Sequence, residues 1–341
     1  MVTIKDIAKH LNISKSSVSR AINNDPNINP ETKEKVLEAC RQLNYIPNMS
    51  ARSLIQKEGR IVGLMIPDIS DSFFSVSAYG VEEVMKANKK EVFYYSTSRD
   101  PQQVRQFLIS AMEHRFSGVF ITPNVWDKKL IEMLSKISIP VVSLRRKPPP
   151  GVDIPFVDAN HFQGAYDAVT HLYDLGHRKI GFIKLDTVVG AERESGYQAA
   201  IHKYGLEPVT EKSGVSMGRS TDLPAGKTAA QNLLERRPDL TAIFAANDSL
   251  AIGVLSYMAE KGVHCPDDIS VIGFDNLDIT NLHWIKLTTI EQPRKDIGLK
   301  AAKMLLSMIQ NYECRPEPII LDTVLVTRKS TGLVKERSPY F

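Results

Sequence analysis

Lys15, Ser16, Ser19 and Arg20 stand between the break Asn12-Ile13-Ser14 and the apolar positions Val18, Ala21 and Ile22. On one helix these four form a polar face near its N-terminal end, where a guanidinium, an ammonium and hydroxyls can meet phosphates and base edges of DNA. Two short helices must carry them. Thr3 and Asp6 have the spacing of a capping box, and Ile4, Ile7, Ala8 and Leu11 repeat at i, i+3, i+4, i+7 as one buried stripe. Ser14 caps the second helix. A second helix offering its first turns to the major groove is the helix-turn-helix arrangement. A helical hairpin with a solvated face is the other reading of the same residues.

Charge separates the two. Residues 1–60 hold 10 Lys and Arg against 6 Asp and Glu, whereas the rest of the 341-residue chain balances at 33 against 33. The whole net charge of +4 thus sits with the helical hairpin, and phosphate neutralisation supplies most sequence-independent affinity for DNA. The remaining composition, 43% hydrophobic and 24% charged, is that of a soluble globular protein of two or three domains. No apolar run approaches the ~18–20 residues of a membrane span, and the N-terminus lacks signal-peptide order. Cys40, Cys265 and Cys314 are far apart, which suggests neither a disulfide framework nor a zinc site. A cytoplasmic protein of bacterial type is expected.

Asn29-Pro30-Glu31 starts a third helix with a cap, a proline at the first position and an acid in the first turn. Its expected buried face is Val36, Leu37, Cys40 and Leu43, completing a headpiece of roughly 45 residues. The stretch Tyr45–Gly59 is expected to hold a short helix from about Asn48 to Ile55 that exposes Leu54 beside Arg52. Two helical turns are unstable alone, so it orders when docked. From Arg60 the pattern alternates. Strands are expected at 61–67, 91–97, 118–122, 140–144, 179–184, 242–245 and 269–274, with helices between them. Continuous apolar strands separated by helices predict doubly wound parallel sheets. Ligands bind outside the carboxyl ends of such strands, here 67–74, 96–100, 122–126, 184–193, 246–248 and 274–278.

Enzymatic signals are weak. Ala225-Gly226-Lys227-Thr228 imitates the end of a phosphate loop, but Thr221 stands where the first glycine belongs. His171 and His177 lack the one-face spacing of a metal pair, and no G-x-S-x-G elbow is present.

Over nearly its whole length the chain resembles the lactose-repressor/galactose-repressor (LacI/GalR) family of bacterial transcription regulators. The resemblance rests on TIKDIAKHLNISKSSVSRAIN, PETKEKVLEACRQLNYIPN and ARSL, and in the body on IVGLMIPDISDSFF, LGHRKIGF, ERESGY, IFAANDSLAIGVL, ISVIGFDN and LTTIEQP. It implies an all-α helix-turn-helix headpiece at 1–46, a hinge helix at 47–59, and an α/β body at 60–341. That body would be two doubly wound parallel-sheet subdomains of the periplasmic-binding-protein-like type I. One subdomain would take about 61–159 plus 291–322, the other 160–290 plus 323–330.

By the same resemblance Lys15, Ser16 and Arg20 contact bases. Thr3, Ser14, Ser17, Ser19, Asn23 and Tyr45 complete the DNA-facing set, Asn48 and Arg52 approach the minor groove or phosphates, and Leu54 wedges between base pairs. The effector cleft would use Asp71, Phe73, Arg193, Asn247 and Asp275, a set suited to a polyol or sugar. The Asn247-Asp248 pair also reads as a helix cap. Asp71-Ser72 replaces the family's common Asn-Pro before the two phenylalanines, and Trp126 and Trp284 stand near the cleft or its rim. The expected partners are palindromic operator DNA, a sugar or sugar-phosphate effector and a second copy of the chain. No cofactor, metal or membrane is expected, and the chain is not expected to be an enzyme. Some family members answer to a phosphorylated partner protein, but the retained Arg193, Asn247 and Asp275 favour a small effector. The tail 333–341 is too short for a coiled coil, which favours a dimer. A sugar-binding transport protein would share the body but lack the basic headpiece.

Overall fold

The computed structural model describes residues 2–45, 59–214 and 223–335. The chain forms two compact units, Met1–Gly59 and Arg60–Phe341.

The first unit contains α1 (Ile4–Leu11), α2 (Lys15–Ile22) and α3 (Pro30–Gln42). At the start of α1 the Asp6 carboxylate accepts hydrogen bonds from the Thr3 backbone N at 2.8 Å and from Thr3 Oγ1 at 2.7 Å. The helix ends at Asn12, whose φ of 51° is a left-handed conformation that asparagine tolerates. Ser14 Oγ then accepts from Ser17 N at 3.0 Å and begins α2. Ile7, Ala8, Val18, Ala21, Val36 and Ala39 form the buried core. Leu37, expected inside, is 38% exposed. The stripe of α3 runs through Val36, Ala39, Cys40 and Leu43, and Leu37 lies about 100° around the helix from Val36.

The second unit is built on two six-stranded sheets. The first contains β1 (Ile61–Ile66), β2 (Glu91–Ser96), β3 (Gly118–Ile121), β4 (Val141–Leu144), β5 (Phe156–Ala159) and β11 (Ile319–Leu321). Their spatial order is β11-β5-β4-β3-β1-β2, all parallel. The second contains β6 (Ile180–Lys184), β7 (Val209–Lys212), β8 (Ala242–Ala245), β9 (Ser270–Asp275), β10 (Thr288–Glu291) and β12 (Val324–Val326). Its order is β12-β10-β9-β8-β6-β7, with β12 alone antiparallel. Every residue of β3, β4, β5, β8 and β9 is buried, because helices cover both faces of a parallel sheet.

The helices of this unit are α4 (Ser75–Ala87), α5 (Pro101–Glu113), α6 (Lys128–Leu134), α7 (His161–Asp174), α8 (Val188–Lys203), α9 (Leu223–Arg236), α10 (Asp248–Glu260) and α11 (Arg294–Gln310). α4 and α11 pack so closely that a Cβ on Gly298 would lie 2.1 Å from the Ser77 carbonyl oxygen. Only glycine permits that approach. Three segments carry the chain between the sheets: β5 to α7, β10 to α11, and β11 to β12. Asn160 N donates to the Leu321 carbonyl at 2.8 Å, fastening the first crossing to the third.

Candidate functional site

The carboxyl ends of the strands of both sheets enclose a cavity of about 700 Å³. Its apolar walls include Phe73, Trp126, Pro148 and Val188, and its charged groups include Arg99, Arg145, Glu192, Arg193 and Asp275. All five effector-site candidates, Asp71, Phe73, Arg193, Asn247 and Asp275, line it.

Asp71 acts by holding its neighbours. Its Oδ1 accepts from Phe73 N at 3.1 Å and starts a single 3-10 turn, Ser72–Phe74, while Oδ2 pairs with Arg99 Nη2 at 3.0 Å. The ring of Phe73 then lies under the Arg145 guanidinium at 3.9 Å.

Arg193 rises from the first turns of α8 and is 3% exposed. One Nη2 contact reaches Asp275 Oδ1 at 3.1 Å, another meets His161 Nδ1 at 3.3 Å, and Nη1 donates to the Ala246 carbonyl. The guanidinium stacks 3.8 Å above the Phe274 ring. His161 Nε2 in turn lies 3.2 Å from Asp158 Oδ1. Burial holds the His161 imidazole below its ordinary value of 6.5, so the neutral ring that donates from Nε2 to Asp158 and accepts at Nδ1 from Arg193 fits both contacts.

Asp275 ends β9 at a φ of 124°, a strained conformation for a residue with a Cβ. Gln292 Nε2 also donates to its Oδ1, and Asn276, next in the chain at φ 50°, is held by Arg328 at 2.6 Å. Asn247 spends its Oδ1 on the backbone N of Leu250 at 2.8 Å and caps α10. Its cap role and its place in the cavity wall therefore coexist. Asp248, fully buried, accepts from Leu277 N and Thr289 Oγ1, and burial together with the nearby Asp275 pushes its carboxyl up to about 7.

Four residues of this site were not anticipated from sequence: Arg145, Arg146, His161 and Gln292. Arg145 follows β4 at φ 60°, is 1% exposed, and donates to Ser77 Oγ at 3.3 Å and Gln292 Oε1 at 2.8 Å. The signal available was the run Arg145-Arg146-Lys147 directly after the strand Val141–Leu144, a strand end missing from the expected set. Trp126 lines the cavity, whereas Trp284 is 80% exposed and outside its wall. His177, the other conspicuous histidine, is a buried clamp between Thr241 Oγ1 and Ser270 Oγ, each 3.0 Å away.

In the headpiece, Lys15, Ser16 and Arg20 are exposed along α2. Ser17, Ser19 and Asn23 are half-buried on the same helix and its end, with Asn23 Nδ2 3.5 Å from Ser19 Oγ. Ser14 Oγ is engaged as the cap and lies 2.6 Å from Ser16 Oγ. Thr3 is exposed at the start of α1, and Tyr45 packs against the headpiece core. Asn48, Arg52 and Leu54 lie outside the described residues.

A three-helix headpiece with an exposed basic second helix, joined in sequence to a two-sheet body whose cleft is lined by aromatic rings and a few charged groups, defines a ligand-responsive DNA-binding regulator. Residues 3–48 match the profile of bacterial regulatory proteins of the lacI family, and residues 169–331 match that of a periplasmic binding protein-like domain. Catabolite control protein A from Priestia megaterium is 34% identical over 97% of this chain and 99% of its own length. The transcriptional repressor CytR from Escherichia coli K12 is 30% identical over 96% of both. The lac repressor dimer bound to operator and the anti-inducer ONPF superposes with a TM-score of 0.84 at 25% identity, over 97% of this chain and 99% of that one. A LacI-family regulator from Enterococcus faecium with bound ribose gives 0.71 at 27% identity, over 81% and 100%. The chain belongs to the LacI family. It is a transcriptional regulator, as these relatives are.

Proposed function

We propose that the chain is a homodimeric repressor of carbohydrate-metabolism genes that reads a palindromic operator through α2 and releases or tightens it when a small polyhydroxylated effector enters the cleft. Its working parts are a headpiece at 1–46, a linker at 47–59 and a cytoplasmic sensing body at 60–341. The subdomains follow the two sheets, about 61–159 plus 291–322 and 160–290 plus 323–330.

One observation carries the sensing role. Ser77, Arg145, Gln292, Asp275, Arg193, His161 and Asp158 form a continuous chain of polar contacts along the cavity. Gln292 sits on one crossing segment between the sheets, and His161 opens the helix that follows another. A ligand touching Arg193 or Asp275 thereby acts on the segments that set how one sheet lies against the other. Differential affinity for two such arrangements is what shifts a population. Apolar rings with a convergent donor fork and acceptors suit a sugar, and the E. faecium relative was crystallised with ribose.

The test is operator binding, followed by fluorescence anisotropy across a panel of sugars and sugar derivatives. Arg193→Ala is expected to lose the effector response while operator affinity stays within about twofold, since α2 is unchanged. Superimposable ligand titrations of parent and variant would contradict the assignment of the cleft.

A further inference from the structure

The polar groups of the cavity are not evenly matched. Asp71 is paired with Arg99 and Asp275 with Arg193, while Asp158 accepts from the neutral His161 and acts on Arg145 and Arg146 without touching either. At the end of β4, however, Arg145 donates among the described residues to the neutral Ser77 and Gln292, and Arg146 Nη1 to the Arg145 carbonyl at 2.8 Å. Among the described residues neither arginine, nor exposed Lys147, forms an ion pair. The buried side-chain donors left without a hydrogen-bond partner among the described residues point the same way. They include Asn124 Nδ2, Trp126 Nε1, Arg145 Nε and Arg193 Nε, all on residues lining this cavity. A site whose unmet groups are cations and N–H donors is complemented by an acceptor-rich anion.

We propose that the effector carries an anionic group, a carboxylate or a phosphate, and that Arg145 and Arg146 hold it, with Lys147 at the mouth. This rests on the reading of the cleft as the effector site and narrows it to acidic or phosphorylated sugars. Arg145 is the anchor: Phe73 fixes the plane of its guanidinium from one side, and burial lowers its pKa to about 9, a penalty that a bound anion offsets. Arg146, half-buried, closes on the same group from the adjacent position. Glu192, a half-buried carboxyl of the cavity, lies on α8 beside Arg193 and acts on Arg146 and Lys147 as well. The carboxylate of Asp275, already paired with Arg193, favours placing the anion on the β4 side and hydroxyls toward Arg193 and Asp275.

The experiment is calorimetric titration of the full-length protein with glucose, glucuronate, glucose 6-phosphate and inorganic phosphate, repeated on Arg146→Gln and Arg145→Met. At least one of the three anions should bind tenfold or more tightly than glucose, and that preference should vanish in Arg146→Gln. The anion that wins separates a carboxylate from a phosphate ester and from free phosphate. Arg146 lies at the half-exposed rim, so its variant remains informative if Arg145→Met fails to fold. Glucose binding as tightly as the anions, or a preference surviving in Arg146→Gln, overturns the anion site but leaves the cleft as a neutral-sugar site. Absence of binding by all three anions at 10 mM also overturns it, and the sugar panel with Arg193→Ala then judges the cleft separately.

Discussion

Arg145 and Arg193 reach the same cavity from different sheets, and each lays its guanidinium on a phenylalanine, 3.9 Å from the centre of Phe73 and 3.8 Å from that of Phe274. Both are almost fully buried. Their counter-charges differ. Arg193 has a carboxylate at 3.1 Å, whereas Arg145 touches an amide and a hydroxyl and feels Asp158 and Asp275 only from farther off. A buried ion pair is costly to break because one charge is left unpaired, while a buried charge with no carboxylate in contact already bears part of that cost in the resting protein. The first arginine is thus part of the framework of the site, and the second is held ready for something that arrives with negative charge.

The sharpest way to break this contrast is to remove the partner of Arg193. Asp275→Asn leaves a buried guanidinium unpaired and is expected to cost about 3–5 kcal/mol in urea unfolding, with Arg193→Met/Asp275→Asn recovering part of the loss. An exposed arginine gives a second contrast. Arg20→Ala should leave unfolding within about 0.5 kcal/mol of the parent but weaken operator binding by ~1–3 kcal/mol and relax specificity at one base position. Anisotropy on single-base operator variants reads both effects. If the loss is uniform across operators, Arg20 contacts phosphate and not a base.

A smaller effect concerns His161, which links Arg193 to Asp158. Burial holds its folded pKa below the ordinary 6.5, so the unfolded chain takes up the proton first as pH falls. Stability should therefore decline as pH drops through 6.5 toward the folded value. Melting temperatures recorded from pH 8 to pH 5.5 should fall more steeply for the parent than for His161→Gln. Parallel curves would show that this ring does not titrate between the two states.

Much of this architecture was legible in the residues. Thr3, Asp6, Ser14, Asn29 and Pro30 specify helix starts through local chemistry, and the caps form with the partners that their spacing requires. Long apolar strands such as β1 and β9 announce themselves by continuity. The elements missed, β5, β7, β10 and β11, have only three or four residues and include Asp158, Glu211 and Glu291, so pattern alone cannot distinguish them from loops. The same blindness concealed the cationic side of the cleft. Arg145 and Gln292 are 147 positions apart, and nothing local indicates that the crossing from β10 to α11 brings Gln292 within 2.8 Å of the end of β4. Leu37 was misplaced for a simpler reason, since one step along a helix turns a side chain from core to solvent.

The claim that one buried arginine is compensated and the other is not can be tested without knowing the effector. Arg145→Met and Arg193→Met, similar changes at two stacked positions, should be melted side by side in ligand-free protein. Loss of Arg193 strands Asp275 and should lower Tm by roughly 6–12 °C, taking ~3–5 kcal/mol and a few degrees per kcal/mol. Arg145→Met removes an unpaired charge and leaves only Gln292 and Ser77 to re-pair, so its Tm should stay within about 3 °C of the parent. Equal losses in the two variants, or a larger one at Arg145, would contradict the account.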